Sequence, residues 1–431
     1  MRPSGGSGGG AWRIAWLIRG HSCVRTSLRP RTGALRWLRL AASCPCVFAL
    51  LVIALNFERK LVSVANQMNP MTAKLRPGRQ LRVQEGGLLA VILLLGALLT
   101  LFGGRVAMPE LRKNSSGEIE RVMVEKNKFL NSRTLIQLAK DTSFVAIMAV
   151  GATFVIISGG IDLSVGAIYA LASVLSALVF HKFGPEILPG DAANWSGVCL
   201  GMLTCIGVGI VCGLFNGGMI VALKVHPFII TLGTMAVFRG IAFVITEGQS
   251  VGSFPEGFRK IVLWETSGGL TPVPLAVMLV MTVLGSIYLS RLVLGRKIYA
   301  VGGNELASRF SGIRVERIKL SVYVISGLAA GIAALLALGY YGSASSSDGQ
   351  GYELNVIAAA VVGGASLAGG KGSALGAILG ALILQMINTG IVILHIPQNY
   401  SQIIIGAVVI IAVVLDQFNN WLAKRRLTQS T

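Results

Sequence analysis

The sequence predicts an all-α polytopic membrane protein of about ten transmembrane helices, with both termini in the cytoplasm. Three observations carry that prediction. Of 431 residues, 53% are hydrophobic and 13% charged, whereas a soluble domain carries about 25% charged residues; the mean hydropathy is +0.71. The charges cluster and leave apolar stretches of about 20 residues, long enough to cross the hydrocarbon core as helices. The chain also holds 54 glycines, small residues that let membrane helices approach one another closely. The competing reading is a large soluble protein with buried core helices, whose helices would average nearer about 12 residues.

The net charge of +20 would suggest nucleic acid in a soluble protein. Here residues 1–80 account for much of it, with thirteen Lys/Arg against the single acid Glu58. Much of the remainder lies in loops assigned to the cytoplasm, as the positive-inside rule expects. No basic surface interleaved with aromatics points to nucleic acid. Of the six cysteines, Cys23, Cys44 and Cys46 precede the spans, and Cys199, Cys205 and Cys212 share one. Their spacing fits neither a zinc site nor a disulfide framework, and Cys44-Pro-Cys46 is too short for a CxxC motif. No cofactor or metal is expected.

Residues 1–70 read as an N-terminal extension. They open on Ser4-Gly-Gly-Ser-Gly-Gly-Gly10 and include one apolar run at about 40–57, which suits an extra span or an uncleaved signal. The reading favoured is upstream sequence ahead of a start at Met68 or Met71, poorly ordered if translated. From Met71 the chain resembles a short basic tail, with Lys74, Arg76, Arg79 and Arg82. Residues 71–420 form the transmembrane domain and 421–431 a basic cytoplasmic tail with Lys424-Arg-Arg426.

Span 1 is predicted at 86–104. The charged segment 105–140 follows, ending in an amphipathic stretch, 129–139, expected to lie at the interface as a helix. Further spans are predicted at 142–158, 163–181, 196–222, 227–246 and 272–293. A basic loop, 294–318, separates them from spans at 319–341, 354–368, 373–394 and 399–417. The 291–319 region carries Arg291, Arg296, Lys297, Arg309, Arg314, Arg317 and Lys319 against Glu305 and Glu316, so it is assigned to the cytoplasm. Alternation then places 182–195, 247–270 and 342–353 outside, in agreement with their mixed or acidic charge. A faint internal repeat relates Gly159-Gly160 and Gly166-Ala-Ile168 to Gly369-Gly370 and Gly376-Ala-Ile378 at the same offset. Such repeats are common in transporters, and chance matching of small residues competes with that reading.

Two segments invite a chemical reading. In Ser158-Gly-Gly-Ile-Asp-Leu-Ser-Val-Gly166, Asp162 and Ser164 stand as a helix N-cap arrangement for the next span. An acid between apolar spans is costly unless hydrated or paired, which leaves a direct part in transport as the alternative. In Gly295 to Ile313, Asn304 is placed to cap a short helix that Gly312 ends, with Ala307 and Phe310 on one face. Within spans, Asn216, Arg239, Gln385 and Asn388 are polar and need partners. Arg239 is the most costly, and it either snorkels to the interface, pairs structurally or lines a pathway. Gly209/Gly213/Gly217, Gly327/Gly331 and Gly376/Gly380 are expected packing surfaces.

Gly159-Gly-Ile-Asp-Leu-Ser164, His226-Pro-Phe-Ile-Ile-Thr-Leu-Gly-Thr234, Val301-Gly-Gly-Asn-Glu-Leu-Ala307 running to Ser311-Gly-Ile313, and Gly351-Tyr-Glu-Leu-Asn-Val-Ile-Ala-Ala359 running to Gly369-Gly370 occur in one order. Together they resemble the ribose/xylose/galactose-type permease family of ABC importers, over about 85–431. The segment 105–128 is longer than usual in that family. The resemblance implies an ABC importer permease fold in a bacterial inner membrane, with two permease copies forming the pathway as a homodimer surrounded by lipid. A cytoplasmic ATPase subunit docks on the loop that includes Gly303, Asn304, Glu305, Ala307, Ser311 and Gly312. A periplasmic sugar-binding protein delivers a monosaccharide, and the permease is itself no enzyme. Ala365-Ser-Leu-Ala-Gly-Gly-Lys-Gly-Ser373 is only a near miss for a phosphate-binding loop, because Ala365 replaces the first glycine and no strand precedes it. Asp162, Ser164, Asn216, Arg239 and Asn388 become pathway candidates, with interhelical hydrogen bonding as the alternative for the two asparagines. A branched-chain amino acid permease is the nearest rival. An ion-coupled secondary transporter would need intramembrane acids, and only Asp162, at a span edge, presents itself. A membrane enzyme would need a cluster that the scattered His21, His181, His226 and His395 do not supply.

Overall fold

The computed structural model describes residues 77–408 except 114–118, 184–194, 253, 255, 267 and 268, and reaches 410, 411 and 414 beyond them. The expectations for 1–70 and 421–431 lie outside the described residues. Residues 71–431 form one compact unit. Eight helices among the described residues are long and apolar enough to cross a membrane, and Tyr352–Val362 is a shorter apolar helix. A helical stretch at 401–408 accounts for the described part of the tenth predicted segment.

Helix α1, Pro77–Phe102, leads into a hairpin of β1, Arg105–Lys113, and β2, Ile119–Asn127, paired from Arg105↔Asn127 to Lys113↔Ile119. The charged segment therefore contains strands, which the span reading did not foresee. The interfacial helix at 129–139 is also corrected. It runs unbroken into the next span as α2, Ser132–Ile157, because no Gly or Pro interrupts 132–150. The Asn131 side chain caps α2 by accepting from Thr134 N at 2.9 Å. Lys140 is buried there and lies 5.5 Å from the Tyr340 ring centre, so its charge faces a π surface rather than lipid.

The chain continues through α3, Val165–Phe183, α4, Trp195–Leu223, and α5, Pro227–Thr246. Strand β3, Val251–Gly252, and the short α6, Glu256–Val262, precede α7, Pro272–Arg291. Three helices form the basic region: α8, Val293–Gly303, α9, Glu305–Phe310, and the start of α10, Val315–Tyr341. Strand β4, Ser343–Ala344, pairs with β3. Then follow α11, Tyr352–Val362, and α12, Ala374–Ile393.

Helix α2 is the centre of the molecule. Phe144, Ile147, Met148 and Val155 are buried on it beside Val322, Tyr323, Ala330 and Ala334 of α10. Helices α4, α5 and α7 instead leave apolar faces exposed, including Leu203, Val211, Ile229, Val244, Leu279 and Val283. Lipid is as apolar as leucine, so close packing rather than apolar burial holds such helices together. Glycine supplies that packing between α4 and α10. A Cβ on Gly209 would meet the Gly327 carbonyl, one on Gly213 the Tyr323 carbonyl, and one on Gly331 the Cys205 carbonyl. Gly376 and Gly380 do the same for α12 against Gly363 and Ala359 of α11 and its end. All three small-residue patterns predicted from the sequence are interfaces.

The span predicted at 354–368 is corrected. Helix α11 has 11 residues, about 16 Å at 1.5 Å per residue, roughly half the hydrocarbon thickness. The chain reaches its start through a non-helical segment, 343–351, and leaves through the glycine turn at 363–373, where Gly364, Gly369 and Gly370 have φ of +97°, +84° and +72°.

Substituting Gly209 or Gly327 by Leu should destabilise the protein by roughly 1–3 kcal/mol, the usual cost of overpacking. Gly207→Leu and Gly218→Leu, where a Cβ meets nothing within 4 Å, should leave stability nearly unchanged. Thermal unfolding of the four variants in one detergent tests the contrast.

Candidate functional site

Within the basic region the short helix expected between Asn304 and Gly312 forms, but the stretch before it, read as loop, is the helix α8. Asn304 caps α9, its Oδ1 accepting from Ala307 N at 2.9 Å. Gly312, at φ +78°, ends it, with Ile313 N donating back to the Ser308 carbonyl at 3.0 Å. The Ser311 hydroxyl donates to the Ala307 carbonyl at 2.9 Å. Glu305 holds the helix down by accepting from Lys319 of α10 at 2.8 Å and from Arg309 at 3.3 Å, and Arg309 also reaches Glu316 at 2.7 Å. Ser308 is the buried residue of α9. Gly303 and Ala307 are exposed, and Leu306 and Phe310 present 64% and 84% of their surface to the outside. A short rigid helix thus displays two large apolar side chains inside a basic rim. Leu306 was missed from sequence, because a helix of six residues has no periodicity to show its outer face.

Beside α9, three Gly-Gly pairs from distant parts of the chain meet backbone to backbone. A Cβ on Gly302 would overlap the Ile157 carbonyl and come within 2.7 Å of Gly370 N. Gly370 N donates to that same Ile157 carbonyl at 2.8 Å. A Cβ on Gly369 would lie 2.6 Å from the Gly302 carbonyl oxygen, and one on Gly159 4.0 Å from Gly302 Cα. The Tyr299 hydroxyl adds a bond to the Gly372 carbonyl at 2.7 Å. The end of α8 is thereby locked against the turns that follow α2 and α11. These are the two Gly-Gly turns of the suspected repeat, and they meet in space; the helices before them differ in length, 26 residues against 11, so the likeness is local. A cavity of about 270 Å³ opens alongside, lined by Ser158, His226, Asn304, Lys319 and Tyr323 among others.

Asp162 is 2% exposed. Its Oδ1 accepts from Ser164 N at 3.0 Å and from the Ser164 hydroxyl at 2.6 Å, and its Oδ2 accepts from the Ser326 hydroxyl of α10 at 2.8 Å. Asn216 of α4 donates Nδ2 to Ser164 Oγ at 2.7 Å. The carboxylate therefore ties the start of α3 to two other helices. The neighbouring Ile161 carbonyl accepts from Thr231 and Tyr323, each at 3.3 Å. Asp162, Ser164 and Asn216 are thus brought together in one buried node.

Arg239 lies elsewhere, on α5. Its Nη1 donates to the carbonyls of Ser346 and Asp348 at 2.9 and 3.2 Å, and its Nη2 to that of Gly349 at 3.4 Å. It is a structural partner of the non-helical segment before α11. Asn388 is separate again and accepts from the Ser401 hydroxyl at 3.0 Å. Gln385 points to Asp141, which the sequence reading had placed ahead of a span and which lies within α2. Asp162 is accordingly not the only acid among the helices, a correction that follows from the longer α2. No cluster of three or more His, Cys, Asp or Glu suited to a metal occurs among the described residues.

Residues 134–413 match the family model described as branched-chain amino acid transport system / permease component. The chain is similar to the D-allose transport system permease protein of Escherichia coli K12, at 37% identity over 67% of this chain and 85% of that protein. It is similar to the ribose import permease protein of the same strain at 38% over 67% and 87%, and to that of Bacillus subtilis 168 at 37% over 69% and 88%. No solved structure matches the chain.

Glu305 feels opposing influences. Burial raises its pKa, but the hydrogen bond and charge of Lys319, with Arg309, outweigh it and hold the value below the ordinary 4.5. A lowered folded-state pKa gives stability that is present above the unfolded value and lost as pH falls through the folded one. Because the groups are half-exposed, the effect stays under about 1 kcal/mol. A spin label at Ala307→Cys should stay equally immobile from neutral pH down to about pH 5 and loosen below 4.5, and Glu305→Gln should loosen it at neutral pH. At the buried node, Ser326→Ala strips one donor from Asp162 and should cost about 1–3 kcal/mol, read as a lower midpoint of thermal unfolding.

Proposed function

We propose, from the fact that this chain belongs to the family of branched-chain amino acid transport system permease components, that it is the membrane subunit of an ATP-driven importer for a monosaccharide. The observation that carries the reading is α9. Its capped ends, its ion pairs to α10 and its exposed Leu306 and Phe310 suit a socket on a soluble motor, and the basic residues around it suit the cytoplasmic side. On this reading both termini are cytoplasmic, the membrane is the bacterial inner membrane, and the ATPase is a separate subunit that performs the hydrolysis.

The coupling follows from the glycine junction. Nucleotide-driven movement of the motor shifts α9 and the end of α8. Gly302 has no side chain to cushion its contact with Ile157 and Gly370, so the shift passes directly to the turns after α2 and α11. Alternating access arises as those helix pairs tilt. A second copy covers the exposed apolar faces, and a sugar-loaded binding protein engages the end bearing β1 and β2, which α2 separates from α9.

Sugar is favoured over an amino acid because several similar proteins are named for D-allose and ribose, each 36–38% identical over most of its length. The family description keeps a branched-chain amino acid as the second reading. A neutral sugar also needs no ring of fixed charge along its path.

The test is uptake into vesicles containing the full chain and its ATPase, with a binding protein loaded with labelled ribose or allose. Uptake should require ATP, and replacing Leu306 and Phe310 together by Ala should lower it at least about tenfold, the loss expected for two anchors worth more than about 1 kcal/mol each. Uptake that follows an ion gradient and needs no ATPase would overturn the importer reading, and uptake of leucine instead of sugar would move it to the amino acid branch.

A further inference from the structure

The half-helix α11 begins inside a cluster that the docking end does not use. Tyr352 is its first residue, and its ring lies 5.5 Å from that of Tyr169 on α3. Tyr341, the last residue of α10, packs on Tyr340 at 5.1 Å and on Phe144 at 6.0 Å, yet stays 54% exposed. Two carboxylates stand by these rings: Asp141 on α2, one turn before Phe144 and bonded to Gln137, which accepts from the Tyr340 hydroxyl at 3.1 Å, and Asp348, next to Gly349, where an added Cβ would lie 2.8 Å from the Tyr169 ring. Asp141 is met by amides, Gln137 at 2.9 Å and Gln385 at 3.5 Å. Asp348 accepts from Ser345 N at 2.8 Å through Oδ2. Arg239 spends its donors on backbone carbonyls rather than on the Asp348 carboxylate.

Asp141 stands within α2, a helix of membrane-spanning length, and an acid there is expensive and faces a bundle interior or a water-filled cavity. A structural role would be served more cheaply by apolar residues. Ligand sites combine aromatic walls with a few well-placed polar groups that fix orientation. A sugar has one apolar face of C–H bonds, which suits a tyrosine ring, and a rim of hydroxyls, which donate to carboxylates and amides. Hydrogen bonds to a charged acceptor are the stronger kind. The cluster offers both surfaces side by side, at the end of α10 away from α9.

We infer that Asp141, Tyr341, Asp348 and Tyr352 form a recognition station at the outer mouth of the pathway, where a neutral polyhydroxylated ligand passes from its binding protein into the membrane subunit. The inference rests on the sugar-import reading and adds to it a place where the permease itself selects. Tyr341 supplies the stacking face. Asp141 and Asp348 accept from hydroxyls of the ligand. Arg239 positions Asp348 by fixing the backbone on which it stands.

The experiment uses the full chain with its ATPase and binding protein, and compares initial uptake of ribose, allose, xylose and galactose. Asp141→Asn and Tyr341→Leu should each lower uptake of the preferred sugar about tenfold, equivalent to about 1.4 kcal/mol, and should change the ranking among sugars. Tyr341→Phe, which keeps the ring, should restore the ranking, and Asp348→Asn, which keeps an acceptor for Ser345 N, should fold while altering it. A uniform fall for every sugar, or unchanged uptake in the Asp and Leu variants, overturns the station while leaving the importer intact. Failure of the unaltered chain to carry any of these sugars overturns the importer reading and the station with it.

Discussion

Backbone polar groups at membrane depth must be paired within the protein, since no water is there to satisfy them. That constraint governs this structure because its chain leaves helical geometry twice inside the bundle. Before α11, the carbonyls of Ser346, Asp348 and Gly349 are released, and one guanidinium, that of Arg239, takes all three. Between α2 and α3, the Ile161 carbonyl is taken by Thr231 and Tyr323, and Ser164 N by Asp162. A half-buried arginine and a buried aspartate, costly in isolation, are thus accounted for by the backbone they stabilise. They make broken helices possible, and with them the short helix α11.

The interruptions also place soft points where movement has to occur. Continuous helices such as α2 and α10 are packed face to face and resist bending, as close-packed interiors do. The turns at 158–164 and 363–373 have glycine backbones at positive φ, Gly159 at +83° and Gly369 at +84°, conformations open to glycine at little cost. Both abut Gly302, two residues before the Asn304 cap of α9. The region proposed to receive the motor and the turns proposed to tilt are therefore in direct contact, without a chain of intervening side chains. At the other end, Arg239 and Asp348 join the proposed ligand station to the same half-helix, so α11 connects the two ends of the mechanism.

Much of the site near α9 was legible because its signals are local. Asn304 as a cap and Gly312 as a terminator depend on residues within one or two helical turns, and both take the expected positions. Glycines at helical spacing announced the α4–α10 and α11–α12 contacts for the same reason. Two segments were misjudged where local signals are ambiguous. The charge at Lys140-Asp141 looked like the edge of a span, but Lys140 lies over the Tyr340 ring and Asp141 bonds Gln385, so α2 passes through. The apolar run at 354–368 has the composition of a span, yet the glycines at 363 and 364 end the helix early.

By itself the sequence determined that the chain is a bundle of apolar helices, where most of them begin and end, and which basic loop carries a short capped helix. These follow from hydropathy, from glycine spacing and from capping chemistry, each confined to a short stretch of chain. The tertiary structure alone decided that three Gly-Gly pairs interlock, that Asp162 bonds Ser326 164 residues away, that Arg239 reaches the carbonyls of Ser346, Asp348 and Gly349, and that Asp141 meets Gln385. Those pairings join residues far apart in sequence, and apolar spans of similar composition can pack in many orders, so only the packing itself brings the partners together.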